Sequence, residues 1–151
     1  MSESQVETTK LLLPGLAGFY RWTNPVSWLI IRVAVGFNLF MHGWPKVPDG
    51  PAKYAGRLAQ LSLPHSELFA WADILIEFVG GIAIMLGLFT RFFAAAAAIE
   101  MAFIMVMYLP NGFSWLNRGY EYVLIWGLVC FAIALRGGGP YSLDRRIGTQ
   151  L

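Results

Sequence analysis

The sequence predicts an all-α integral membrane protein, a four-helix bundle with a short interfacial helix between the first and second spans. Composition, hydropathy and the length of the apolar runs predict it. Of the 151 residues, 57% are hydrophobic and only 13% are charged, against about 25% charged residues in a soluble domain. The mean hydropathy is +0.56. Several apolar runs reach the roughly 20 residues that a helix needs to cross a hydrocarbon core of about 30 Å.

The remaining bulk properties exclude other classes of protein. A net charge of +2, with no block of Lys and Arg, does not suit a nucleic-acid-binding protein. The single cysteine, Cys130, excludes an intrachain disulfide and a thiolate metal cluster. The sequence shows no metal-ligand spacing, no phosphate-binding glycine loop and no nucleophile elbow. It therefore predicts no metal site and no intrinsic cofactor.

Composition divides the chain into a polar and interfacial N-terminal segment, a four-span membrane domain and a tail, at residues 1–24, 25–146 and 147–151. The N-terminal segment opens polar and lacks the basic region of a signal peptide. Its apolar part, 11–22, is interrupted by Pro14 and two glycines, so we expect it to lie at the level of the lipid headgroups.

Turn signals bound the spans, which are predicted at 25–43, 68–88, 92–109 and 120–135. Trp44-Pro45 ends the first span, and Pro110-Asn111-Gly112 ends the third. In the connection between the first two spans, residues 52–63 place apolar side chains at helical spacing between two prolines. This pattern is typical of a short amphipathic helix on the membrane surface.

The distribution of basic residues predicts the orientation. Outside the spans, the side that holds both termini carries Lys10, Arg21, Arg91, Arg136, Arg145 and Arg146, and the other side carries Lys46, Lys53, Arg57 and Arg118. Because cytoplasmic loops carry the excess of Lys and Arg, we expect a multi-pass protein of the inner membrane with both termini in the cytoplasm.

The second span carries two acids, Asp73 and Glu77, one helical turn apart. In a helix they share a face of about 80° with Gly80 and Gly87. Because a carboxylate that faces lipid costs several kcal/mol, this face is predicted to point into protein. The glycines allow a neighbouring backbone to come close there.

Two polar clusters are expected inside the bundle. From the rise per residue, Arg32, Glu100 and Glu77 lie roughly 9, 12 and 16 Å from the termini side, within reach of one another. This cluster holds two acids and one base, so one carboxyl group is expected to keep its proton.

The second expected cluster lies closer to the opposite side of the membrane. His42 and Asp73 have similar depths there, with Lys46 and Glu121 nearer to the surface. Buried groups of this kind either join helices, contributing about 1 kcal/mol or less, or line a pathway for a ligand or protons. For His42, a proton carrier and a structural hydrogen-bond partner are equally consistent with the sequence.

If the clusters are functional, the catalytic candidates are Glu77 and His42. The predicted binding residues are then Arg32, His42, Lys46, Asp73, Glu77, Glu100 and Glu121.

Four stretches carry a family pattern: IIRVAVGFNLFMHGWPKV, IEFVGGIAIMLGLFTR, GYEYVLIW and RGGGPYSLDRR, at 30–47, 76–91, 119–126 and 136–146. With them the chain resembles the DoxX family of small four-span membrane proteins. The glycine-rich turn followed by Ser-Leu-Asp is the most specific part, whereas residues 1–24 and Glu100 lie outside the pattern. The resemblance makes Arg32, His42, Lys46, Glu77, Arg91 and Glu121 the shared polar positions, without saying what they bind.

The family takes its name from a membrane subunit of a terminal quinol oxidase complex, and a related branch supplies the membrane part of a thiosulfate:quinone oxidoreductase. The resemblance implies a quinone-facing subunit that works with a redox partner subunit, with quinone as the ligand. A non-catalytic membrane anchor or assembly partner is the alternative, and a small-molecule or proton transporter is the third reading. Whether the chain has activity alone, and whether it forms a homo-oligomer, stays open.

Overall fold

The computed structural model describes residues 11–59 and 65–149, and every regular element in these ranges is a helix. The elements are α1 (Ala17–Gly43), α2 (Lys46–Ala59), α3 (Ser66–Ile74), a π-helical segment (Leu75–Gly80), α4 (Gly81–Leu86), α5 (Thr90–Tyr108), α6 (Glu121–Arg136) and α7 (Leu143–Ile147). The stretch from α3 through the π-helical segment to α4 is continuous, and we call it the acidic helix (Ser66–Leu86).

The acidic helix packs against α1 in an antiparallel direction, and glycines set the spacing. A Cβ added at Gly81 would lie 2.6 Å from the amide nitrogen of Phe40 and 2.8 Å from the carbonyl oxygen of Gly36. One at Gly43 would lie 2.9 Å from the backbone of Glu77. The two backbones therefore touch, as the small-residue pattern predicts for membrane helices.

This contact also fixes the register of the two helices. Gly43 lies level with Glu77, and Gly36 lies level with Gly81. At the far end, the Arg32 side chain reaches Gly87. Because Arg32 precedes Gly43 by three turns, it lies roughly 16 Å from the level of Glu77.

The core lies where α5 and α6 pack against this pair. Ala94, Ala97, Cys130 and Ile133 are fully buried and belong to one cluster with Ile84 of the acidic helix. The alanines in the first half of α5 allow this close approach, because they have small side chains. Cys130 fills space in the core.

Several predicted boundaries differ in the structure. The first helix begins at Ala17 rather than at 25 and runs through Pro25, so the segment predicted as interfacial is largely its first turns. Within the described residues, three stretches are long and apolar enough to cross a membrane: Pro14–Gly43, Ser66–Leu86 and Thr90–Asn111. The predicted fourth span corresponds to α6, which has 16 residues.

The helix predicted at 52–63 begins earlier, at Lys46, and reaches Ala59 with a break at Gly50, where φ is +75°. Its last predicted residues, 60–63, lie outside the described residues. The helix packs against α3, along the part of the acidic helix that extends beyond Gly43. A proline-bounded amphipathic pattern does not distinguish this packing from a location on the membrane surface.

The glycine-rich segment after α6 folds back over the end of the bundle. Arg32 is only 1% exposed and donates hydrogen bonds to the carbonyl oxygens of Gly138 and Tyr141, at 2.5 and 2.6 Å. The Trp28 indole Nε1 donates to the carbonyl oxygen of Gly137 at 3.0 Å. These bonds tie the segment to α1.

Asp144 ties the same segment to the start of α5. Its carboxylate accepts hydrogen bonds from the backbone nitrogens of Phe89 and Thr90, at 2.7 and 3.0 Å, and from the Thr90 hydroxyl at 2.7 Å. It thereby satisfies backbone donors that a helix leaves unpaired at its first turn. The segment is thus an integral part of the bundle.

Replacing Gly81 with alanine tests the backbone contact between α1 and the acidic helix. The added Cβ meets backbone atoms that cannot rotate away, so we expect a loss of about 1–3 kcal/mol in the free energy of unfolding. Gly56→Ala is the matched control, because nothing lies within 4 Å of a Cβ at that helical position, and we expect it to be neutral or stabilising by up to about 1 kcal/mol. Equal unfolding curves for the two variants in mixed micelles would refute the contact.

Candidate functional site

The candidate site is built around Lys46, which lies just past the corner at the end of α1. Its ammonium nitrogen is 2.5 Å from Asp73 Oδ2 and 2.5 Å from Glu77 Oε2. The three side chains are 18%, 13% and 5% exposed, respectively. The acidic face of the second span therefore points inward as predicted, and Lys46 is its counter-charge.

Local structure explains why Lys46 reaches both acids. The helix α1 ends at Gly43, whose backbone rests on Glu77 and Phe78. The Trp44-Pro45 corner then starts α2 at the junction between α1 and the acidic helix. Glu77 itself lies in the π-helical segment, where hydrogen bonds close over five residues rather than four. Such segments occur frequently at functional sites.

Tyr54 completes this side of the site. Its hydroxyl donates to Asp73 Oδ1 at 3.2 Å, and the Lys46 ammonium lies 4.5 Å from the centre of its ring. Burial and the neighbouring Asp73 carboxylate raise the pKa of Tyr54 to about 12. Burial alone would lower the pKa of Lys46, but the Glu77 and Asp73 carboxylates outweigh it and raise that pKa. Both groups therefore keep their protons at neutral pH.

Glu100 brings a third acid to the site from α5. One carboxylate oxygen each from Asp73, Glu77 and Glu100 lie within 4.8 Å of one another. Both Glu100 carboxyl oxygens are buried, and the carboxyl groups of Asp73 and Glu77 lie next to them. We call Lys46, Asp73, Glu77 and Glu100 the carboxylate cluster.

Three carboxylates this close are also a geometry that can hold a metal ion. Depth along the spans predicted that Glu77 and Glu100 lie within reach of each other, and the structure adds Asp73 to them. The sequence itself shows no metal-ligand spacing, because Glu100 comes from a separate helix. The cation already present there is the Lys46 ammonium, which contacts two of the three acids. A metal ion would have to displace it.

A small pocket of about 150 Å³ opens beside the cluster. It is lined by His42, Pro45, Lys46, Asp49, Lys53 and Tyr54. His42 lines this pocket together with Lys46, but it is exposed rather than inside the bundle as predicted. The pocket is smaller than the roughly 300–1,000 Å³ of sites that enclose whole small molecules. It is therefore too small to enclose a whole quinone.

Arg32 and Glu121 lie apart from the carboxylate cluster, contrary to the prediction for each. Arg32 binds the carbonyl oxygens of the C-terminal segment, and its charge interacts with Asp144 rather than with Glu77. The Glu121 carboxylate accepts a hydrogen bond from the backbone nitrogen of Trp115 at 3.1 Å, within the loop that precedes α6.

The prediction for Arg32 failed because the depth of each residue was counted from the end of its own span, as if those ends lay at one level. The glycine contacts place Arg32 level with Gly87 instead of Glu77, so the first turns of α1 extend beyond the end of the acidic helix. The sequence did contain a signal for Lys46 as the counter-charge. At helical spacing Lys46 lies on the same face as Gly36 and Gly43, the face that contacts the acidic helix. Tyr54 was recognised only as an apolar position of the amphipathic pattern.

Comparison with known proteins places these residues in a family. The DoxX family model matches residues 27–110. The chain is 30% identical to the membrane protein Rv3486 of Mycobacterium tuberculosis, over 84% of this chain and 85% of that protein. It is 30% identical to the inner membrane protein YphA of Escherichia coli, over 82% and 91%, and 29% identical to a Haemophilus influenzae protein, over 82% and 92%. No solved structure matches the chain significantly.

Replacing Lys46 with methionine tests the site. Asp73 and Glu77 would lose their counter-charge, and removing one partner of a buried ion pair costs about 3–5 kcal/mol. Lys53→Met is the control, because Lys53 and Asp49 form an exposed pair worth at most about 1 kcal/mol. We expect Glu77→Gln to recover part of the loss in the Lys46→Met background. If Lys46→Met and Lys53→Met have the same free energy of unfolding, the ion pairs of Lys46 with Asp73 and Glu77 do not stabilise the bundle.

Proposed function

The chain belongs to the DoxX family of membrane proteins, and we propose that it is a quinone-facing subunit of a membrane oxidoreductase. A redox partner subunit would supply electrons, and this chain would supply the protons at a site beside the carboxylate cluster. The support is the cluster itself, in which one ammonium group faces three carboxyl groups inside the bundle.

The proposal includes four spans in the inner membrane with both termini in the cytoplasm. The helix α6 is roughly 24 Å long, short of the hydrocarbon thickness of about 30 Å. It is nevertheless apolar and packs closely along α5, and Glu121 and Arg136 lie at its two ends. An even number of spans leaves both termini on the side that is rich in arginine, which is the cytoplasmic side by the positive-inside rule.

Charge balance in the cluster supports a proton-carrying role. With all acids ionised, Lys46, Asp73, Glu77 and Glu100 would have a net charge of −2 inside the bundle. Unpaired charges at this depth cost several kcal/mol each. We propose that the cluster avoids this cost by holding a proton among its carboxyl groups, with Glu100 sharing it with its neighbours.

Reduction of a quinone would consume such a proton. Reduction of a quinone to a quinol takes two electrons, here from the partner subunit, and one proton on each ring oxygen. His42, Lys46 and Tyr54 offer donors around the small pocket. The carboxylate cluster behind them gives its proton to one ring oxygen, and water that reaches the pocket supplies the proton on the other. Because the pocket is only about 150 Å³, we propose that the ring alone enters it while the tail stays in lipid.

A membrane anchor is the competing function, and one observation favours it. Lys46 already neutralises Asp73 and Glu77 with short contacts, so a purely structural role for those two acids needs no ligand. A substitution of Glu100 distinguishes between the two functions, because Glu100 does not take part in the Lys46 ion pairs that stabilise the fold.

The test compares Glu100→Gln with Glu67→Gln, a control at an exposed position of α3 that does not line the pocket. Both replace a carboxyl group by an amide of the same shape, and both leave the Lys46 bridge in place. We measure the melting temperature in detergent with a short-chain ubiquinone analogue, and quinone-dependent turnover in native membranes with the partner subunit. A quinone site predicts that the analogue stabilises the wild type and Glu67→Gln, and that Glu100→Gln loses at least tenfold in turnover while staying assembled.

An anchor predicts the opposite pattern. The quinone analogue would leave every melting temperature unchanged, and Glu100→Gln would retain both its partner and full turnover. Either observation would overturn the proposed function.

A further inference from the structure

A second concave surface lies on the outside of the bundle, between α1 and α6. This groove has a volume of about 470 Å³, within the range of small-ligand sites. Its lining is apolar, formed by Trp28, Ile31, Ala34, Val35, Ile125, Trp126, Leu128, Val129 and Ala132. It exists because α1 packs mainly on the acidic helix and touches α6 only sparsely.

One end of the groove carries a fixed positive charge. The guanidinium carbon of Arg136 lies 4.4 Å from the centre of the Trp28 ring, and Trp28 lines the groove. The indole is itself held by its bond to the carbonyl oxygen of Gly137. The Arg136 side chain is exposed, so the guanidinium is available at the point where the groove reaches the end of the bundle.

The surroundings of this end are strongly basic. Among the described residues, the helix ends and the segment on this side carry one acid, Asp144, and six arginines: Arg21, Arg32, Arg91, Arg136, Arg145 and Arg146. Asp144 is already bound to the start of α5. Arg21 lies two turns before Trp28 on the same face of α1, beyond the end of the groove.

The groove also spans about two thirds of one leaflet, whose hydrocarbon part is roughly 15 Å deep. From Trp28 to Val35, and in the antiparallel direction from Ala132 to Ile125, it runs roughly 10 Å into the bundle. An apolar channel that begins under an arginine at the membrane surface fits a molecule with an anionic head and a hydrocarbon chain.

We infer that this groove binds an anionic phospholipid, with one acyl chain along α1 and α6 and the phosphate on Arg136. The guanidinium donates two parallel hydrogen bonds to the phosphate oxygens. The orientation that places the arginine-rich end in the cytoplasm puts this site in the leaflet where anionic lipids attract basic residues. The inference stands on the groove and Arg136 and does not depend on the quinone site.

The test measures lipid binding to the delipidated full chain in detergent. Dioleoyl phosphatidylglycerol should raise the melting temperature and remain bound in native mass spectrometry, whereas dioleoyl phosphatidylcholine and inorganic phosphate should do neither. Arg136→Gln should weaken phosphatidylglycerol binding about fivefold, the effect of one basic residue at a membrane surface. Arg118→Gln, an exposed arginine at the opposite end, should bind like the wild type.

A second variant tests the acyl-chain half of the site. Ala132→Phe fills the groove without touching the charge, and it should abolish lipid retention. Ala102→Phe adds the same ring to an exposed position of α5 outside the groove and should have no effect, which separates blocking from misfolding.

Three outcomes would overturn the inference. Equal stabilisation by both lipids would show a site for any acyl chain, and unchanged binding in Arg136→Gln would remove the headgroup contact. A dimer that Ala132→Phe dissociates, with no phospholipid retained by the wild type, would show that a second copy of the chain covers the groove.

Discussion

A lysine ammonium held between two carboxylates is the interaction on which the rest of this bundle depends. Asp73 and Glu77 lie in a helix that is otherwise suited to lipid, and without Lys46 their burial would cost several kcal/mol. Lys46 reaches them because the chain turns a corner directly after Gly43 and because Gly43 rests on the backbone of Glu77. The corner, the glycine contact and the packing of α2 are therefore parts of one arrangement.

Arg32 and Lys46 are stabilised in different ways. Arg32 donates to backbone carbonyl oxygens of a folded-back segment, and this arrangement fixes the end of the bundle. Lys46 contacts carboxyl groups, which can gain and lose protons. Under the proposed function, the arginine end is therefore structural and the lysine end is where protons are transferred.

The sequence predicted which faces are buried more reliably than which residues meet. The inward direction of Asp73 and Glu77 followed from the cost of a carboxylate in lipid, and the structure confirms it. The pairing of Arg32 with Glu77 was wrong, since rise per residue compares the depths of two residues only when the relative level of their helices is known. The glycine contacts that set the register are visible in the sequence as small residues, but their partners are not.

The contact between Arg32 and the C-terminal segment had no signal strong enough to be predicted. The return of residues 137–139 onto Arg32 depends on backbone carbonyl groups, which every sequence has. The approach of Glu100 to Glu77 was predicted from their depths in the spans, and the structure brings them together. The even apolar character of α5 did not by itself determine how that helix is rotated in the bundle.

The central claim is that one lysine faces three acids and that the group therefore holds a proton. Infrared spectroscopy of the protein in lipid measures this directly, through the C=O stretch of a protonated carboxyl group. The account predicts such a band at neutral pH that is lost in Glu100→Gln and retained in Asp49→Asn. A spectrum with no protonated carboxyl group at neutral pH would contradict it.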